Sequence, residues 1–219
     1  MPMPSGARCQ IVDAAQSDAV EAACRIYEAS LPASERKPTD AIRAMEARPD
    51  YRLLTAALDG RVIGFAALFA PRGESFALLE YLAVDEAARG AGVGAELFRA
   101  VVNATADAGT ARWLLLEVDA DVCDDAADLH QQRRRQAFYR RLGCRRVAGV
   151  TYELPLRTSG QSPPPMHLFV HDAGSRRVIS RIDLLHALRV IYRDVYGQAA
   201  DDPRIDAMLA GVSDPIAFD

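Results

Sequence analysis

The sequence predicts an α/β domain, and three observations predict it. Short apolar runs of strand length alternate with stretches of helical period. The run at residues 76–84 leads through Arg89-Gly90-Ala91-Gly92-Val93-Gly94 into a pattern that sets Leu97, Phe98 and Val101 on one face, a strand-loop-helix unit. Asp59-Gly60 separates two further apolar runs, the signal of a tight hairpin. With 219 residues, half of them apolar, the chain is long enough for one sizeable core or one core with an appendage, and a second full domain is not expected.

Residues 8–12 read as a first strand. Ser17 stands before a helical run carrying Val20, Ala23, Ile26 and Tyr27, which Pro32 ends. Residues 31–38 are a loop by composition, and Thr39 is placed to cap a second, short helix through Met45. Residues 52–58 and 61–70 are antiparallel neighbours across the Asp59-Gly60 turn. A turn at residues 71–74 enters the strand 76–84, and after its helix residues 112–118 read as another buried strand. The acidic stretch 119–128 lacks the regular spacing and the glycine of a calcium loop. A helix with Ala137, Phe138 and Leu142 on its apolar face follows. Residues 147–156 read as a strand, 159–165 as a Gly/Ser/Pro-rich connection and 166–171 as the last strand, for about seven in all. The stretch 180–197 is amphipathic, with Leu184, Leu185, Leu188, Ile191, Tyr192 and Val195 along one stripe.

Glycines between a strand and a helix suit an anion, because the first turn of a helix has N–H groups without intrahelical partners and glycine lets a ligand approach the backbone. The loop is not a Walker loop, since Ala95-Glu96 follow its last glycine, and its alternating glycines do not make Gly-x-Gly-x-x-Gly. Arg89-x-x-Gly92-x-Gly94, after Leu82-Ala83-Val84, closely resembles the acetyl-CoA-binding motif of the GNAT superfamily of N-acetyltransferases, Gln/Arg-x-x-Gly-x-Gly/Ala. Ala137-Phe138-Tyr139-Arg140-Arg141-Leu142-Gly143-Cys144 resembles that superfamily's other signature, a helix ending in Tyr-x-x-x-Gly-Phe. Here Gln132 stands where the family often has Asn, Arg135 where it often has Ala, and Cys144 where Phe is usual.

The resemblance implies a GNAT-like domain over residues 1–172 with a mixed, splayed β-sheet. A C-terminal helical extension over 173–219 then covers core surface or makes a dimer contact. The co-substrate implied is acetyl-CoA, held by Leu82, Ala83, Val84, Arg89, Gly90, Ala91, Gly92, Val93, Gly94, Ala95, Gln132 and Arg135. The activity implied is direct transfer of an acetyl group to a primary amine of a small molecule or a protein, with no metal required. A coenzyme A-binding sensor without catalysis, or an interaction module, is the alternative.

Acetyl transfer needs a base for the acceptor, a donor for the oxyanion and an acid for the leaving thiolate. The family-matched acid is Tyr139, and the backbone near Ala83 and Val84 is the implied oxyanion donor. For the base, Glu80 is an acidic residue in an otherwise apolar strand, turned either into a cleft or to water, and Glu117 on the next strand is the substitute. Family position makes Glu35, Arg36 and His167 candidate acceptor contacts beside Glu117; solvated charges and a structural histidine are the plainer readings. The acidic stretch is a solvated loop or an attractor of a cationic amine. The arginines that follow pair with that stretch or attract the phosphates of coenzyme A.

A net charge of −4 offers no general basic surface for nucleic acid or an anionic membrane. The first ten residues lack the apolar core of a signal peptide, and the run 62–70 is broken by Gly64 and too short to span a bilayer. A cytoplasmic protein is expected. Cys9, Cys24, Cys123 and Cys144 are scattered, read as reduced and structural, and form no metal-binding spacing.

Overall fold

The computed structural model describes residues 10–13, 17–31, 36–107, 111–122, 125–155, 165–172, 174 and 177–219. The chain forms two compact units, Met1–Ala111 and Arg112–Asp219. Strands and helices occur in both, so the α/β class expected from the sequence is the class observed.

In the first unit, strands β1 (Gln10–Asp13), β2 (Tyr51–Leu58), β3 (Arg61–Phe69) and β4 (Phe76–Val84) pair in that order, all antiparallel. Asp59 and Gly60 adopt φ of 51° and 77°, the left-handed pair that a two-residue hairpin needs. Helices α1 (Ser17–Ser30) and α3 (Val93–Asp107) cover opposite faces. Phe65 meets the Tyr27 ring of α1 edge-on, whereas a Cβ on the adjacent Gly64 would lie 3.0 Å from Leu97 of α3. Helix α2 (Thr39–Met45) begins without a side-chain cap, because Thr39 lies inside it and gives its hydroxyl to Glu28 of α1. The capping role expected of Thr39 is thus replaced by a bond between helices.

A register shift in β4 bears on the site. Ala67 lies opposite Tyr81 and Leu68 opposite Leu79, so Glu80 is the extra residue of a β-bulge.

In the second unit, β5 (Trp113–Asp119) pairs antiparallel with β8 (Pro165–Asp172) along its whole length. Helix α4 (Ala126–Arg141) is capped by Asp125, which accepts the amides of Ala127 and Asp128. Of the strand expected at 147–156 only two residues form one, β7 (Tyr152–Glu153); another two-residue strand, β6 (Arg145–Arg146), precedes that range, and both pair with β8. Gly149, at φ 72°, turns the chain between them.

The last stretch is built into this unit. Helix α5 (Arg181–Asp194) buries Leu184, Ala187, Leu188, Val190, Ile191 and Tyr192. The short helix α6 (Pro203–Leu209) and the two-residue pair β9 (Val178–Ile179) and β10 (Ile216–Ala217) were not expected. The Tyr192 hydroxyl donates to the Glu153 carbonyl at 2.5 Å, and Val147 bridges to Phe218. Trp113, the chain's one tryptophan, is 5 % exposed, and its indole N–H has no hydrogen-bond partner. Among the described residues no helix is long and apolar enough to cross a membrane.

Candidate active site

The first unit carries the glycine loop. After Leu82, Ala83 and Val84, which face Ala66, Phe65 and Gly64 of β3, the chain makes a short 3-10 turn, Glu86–Ala88. Arg89 donates back to the Val84 carbonyl at 3.3 Å. Gly90 and Gly92 follow at φ of 81° and 87°, with nothing within 4 Å of where a side chain would begin. The first helical hydrogen bonds of α3 run from Ala95 and Glu96 to the Gly92 carbonyl at 3.0 and 3.1 Å. The amides of Val93 and Gly94 precede them, at the positive end of the helix. Open glycine backbone at a helix start fits a pyrophosphate, so this loop suits the phosphates of a nucleotide-bearing co-substrate.

Glu80 does not face open water. Its side chain is 1 % exposed, with one oxygen 2.5 Å from the Lys37 ammonium and the other accepting from the Tyr51 hydroxyl at 2.5 Å. A buried carboxylate needs such partners, and the bulge supplies them by taking Glu80 out of the regular alternation. Burial, then the Glu80 charge, push the Tyr51 hydroxyl well above its ordinary value. Arg36 donates to the Glu28 carbonyl of α1 at 3.0 Å. Glu35 lies outside the described residues.

In the second unit, Tyr139 sits in the last turn of α4, 8 % exposed, its ring edge-on to Phe138. Burial raises its hydroxyl well above the ordinary value, with Arg135 opposing, so the proton stays on at neutral pH. Cys144 is buried and pushed up to about 12 by desolvation, an inert thiol. Arg135 is ion-paired with Asp119. Gln132, one turn earlier on α4, has a buried side-chain oxygen with no donor, an acceptor that an amide N–H of a ligand would satisfy.

Glu117 accepts from the hydroxyls of both Tyr152 and Tyr196. His167 lies 3.6 Å from Asp121; burial and Arg146 draw it below the ordinary histidine value, against Asp121. The acidic stretch is largely engaged within its own unit. Asp119 pairs with Arg135, Asp121 with Arg133 and Asp125 with the start of α4, while Asp124 lies outside the described residues. Its pairing with arginines is therefore observed at two positions, which weakens its field on an incoming cation. Among the described residues no group of three or more His, Cys, Asp or Glu could hold a metal ion.

Sequence reasoning missed Lys37, Tyr51, Tyr152 and Tyr196. Lys37 and Tyr51 meet Glu80 from 43 and 29 residues away, and Tyr196 meets Glu117 from 79, so no local spacing announces them.

Comparison with known proteins adds a family and a fold. The profile of the acetyltransferase (GNAT) family matches residues 20–144. A comparison with curated proteins by sequence finds no match. Among solved structures, a protein of the GNAT family from Bacteroides thetaiotaomicron superposes with a TM-score of 0.65 at 22% identity, over 87% of this chain and 98% of that one. An aminoglycoside 6'-N-acetyltransferase complexed with coenzyme A gives 0.57 at 16%, over 74% and 96%. The ribosomal-protein-S18-alanine N-acetyltransferase from Escherichia coli gives 0.55 at 18%, over 75% and 94%. At these identities the likeness is one of fold.

Proposed function

Since the chain belongs to the acetyltransferase (GNAT) family, we propose that it transfers an acetyl group from acetyl-CoA directly to a primary amine of a small molecule or a protein. The glycine loop carries this reading: two left-handed glycines, open space above them and the start of α3 make an anion site at the family's donor motif. Leu82, Ala83, Val84 and the segment from Arg89 to Ala95 hold the donor, with Gln132 and Arg135 contributing from α4. When bound, the donor supplies a thioester carbonyl. Glu80 takes the proton that the acceptor amine must lose, directly or through a water, so that its nitrogen can form the new C–N bond. Backbone N–H near Ala83 and Val84 stabilises the oxyanion. As the C–S bond breaks, Tyr139 gives its retained proton to the sulfur. Glu117 and His167 are the candidate contacts of the acceptor, and residues 173–219 buttress the unit that carries them.

The test is a panel of amines with acetyl-CoA, reading released thiol, together with Gly92→Val. The valine would put a β-branched side chain at φ 87°, so coenzyme A affinity by calorimetry should fall at least about tenfold. Undiminished affinity would show that the phosphates bind elsewhere.

A further inference from the structure

We infer that Lys37 and Tyr51 are positioning residues for acetyl transfer, holding the two oxygens of Glu80 so that the carboxylate presents one fixed orientation to the acceptor. This rests on the reading of Glu80 as the base. The observations are geometric. Lys37 Nζ lies 2.5 Å from Oε1 and the Tyr51 hydroxyl 2.5 Å from Oε2, one from the segment before α2 and one from β2, against a side chain the bulge has already displaced. Lys37 is itself anchored, for its amide donates to the Tyr27 hydroxyl at 2.8 Å and that hydroxyl donates to its carbonyl at 3.3 Å. Tyr51 is held as well: the Arg48 guanidinium stacks 4.5 Å over its ring and pairs with Asp50 at 2.6 Å.

A carboxylate has about four lone-pair sites, so two donors leave capacity for the acceptor's proton while removing the carboxylate's freedom to rotate. The same ion pair joins the segment before α2 to β4, so Glu80 is tied to both. A solvated lysine would contribute little, but this one is 11 % exposed against a partner at 1 %, where the attraction is weakly screened. Among the described residues, the Glu80 charge also acts on Arg48 and Tyr27.

The experiment compares Lys37→Met, Lys37→Arg, Tyr51→Phe and Glu80→Gln in the full chain, with acetyl-CoA and the best amine of the panel. Lys37→Met should lower kcat about tenfold or more with little change in coenzyme A affinity. It should also move the acidic limb of the kcat/KM profile to higher pH, because a carboxylate without its cation holds a proton longer. Lys37→Arg should bring the limb back toward its original place, and Tyr51→Phe should move it in the same direction as Lys37→Met. Should Glu80→Gln lose the acidic limb while Lys37→Met and Tyr51→Phe keep it in place, the positioning role is overturned and the base remains. If Glu80→Gln itself keeps the limb, the base reading fails and this inference with it. Where Lys37→Met does not fold, Tyr51→Phe decides, and an unmoved profile overturns the inference.

Discussion

At the scale of single residues, the proposed chemistry asks opposite things of two buried groups. Tyr139 must hold a proton and Glu80 must be able to take one. Burial serves Tyr139, since desolvation disfavours the phenolate. Tyr139→Phe keeps the ring beside Phe138 and removes only the oxygen, so turnover should fall by roughly 10²-fold while coenzyme A affinity stays within about twofold. Equal turnover in steady-state assays would return Tyr139 to packing. The histidines of β8 give a prediction about stability. His171 is drawn below its ordinary 6.5 by burial, and His167 by burial and Arg146. Between the folded and unfolded values the unfolded chain binds more protons. Their contribution is therefore complete above about pH 6.5 and is lost as pH falls beneath it. The melting temperature should drop from pH 7 to 5.5, and His171→Gln should flatten that slope; a parallel slope would remove His171 from the account.

At the scale of elements, helix ends decide much. Ser180 caps α5 by accepting from the Asp183 amide at 3.1 Å, while its hydroxyl donates to the Asp183 carboxylate at 2.6 Å. Ser180→Ala should cost about 1 kcal/mol, or roughly 2–4 °C in melting temperature for a chain of this size, measured by thermal unfolding. The Asp59-Gly60 hairpin and the run from β4 into α3 were legible in the sequence, because local backbone demands choose those residue types. The strand expected over residues 147–156 was not, since Gly149 turns the chain within it and the two residues that do form a strand, Tyr152 and Glu153, pair only because β8 is there. Elements of two residues, such as β9 and β10, carry no period at all. In the site, the glycine loop was legible for the same local reason. The surroundings of Glu80 were not: the carboxylate stood out as an acid in an apolar strand, but its bulge and its two donors come from register and tertiary pairing.

At the scale of the whole molecule, the family profile ends at residue 144, yet the second unit runs to Asp219. Glu117 on β5 is reached by Tyr152 and by Tyr196, and the Glu153 carbonyl by Tyr192, so residues past the family's span partner residues of the central strands and their neighbours. The placement of Trp113 has a practical consequence. A lone indole, buried at the start of β5, makes tryptophan emission a label that nature has put on one of the two units. Circular dichroism reads the backbone of both. Following denaturation by the two signals side by side therefore asks whether the units melt as one body: coincident curves mean a shared transition, and an emission change offset from the ellipticity change means that the second unit comes apart at its own denaturant concentration.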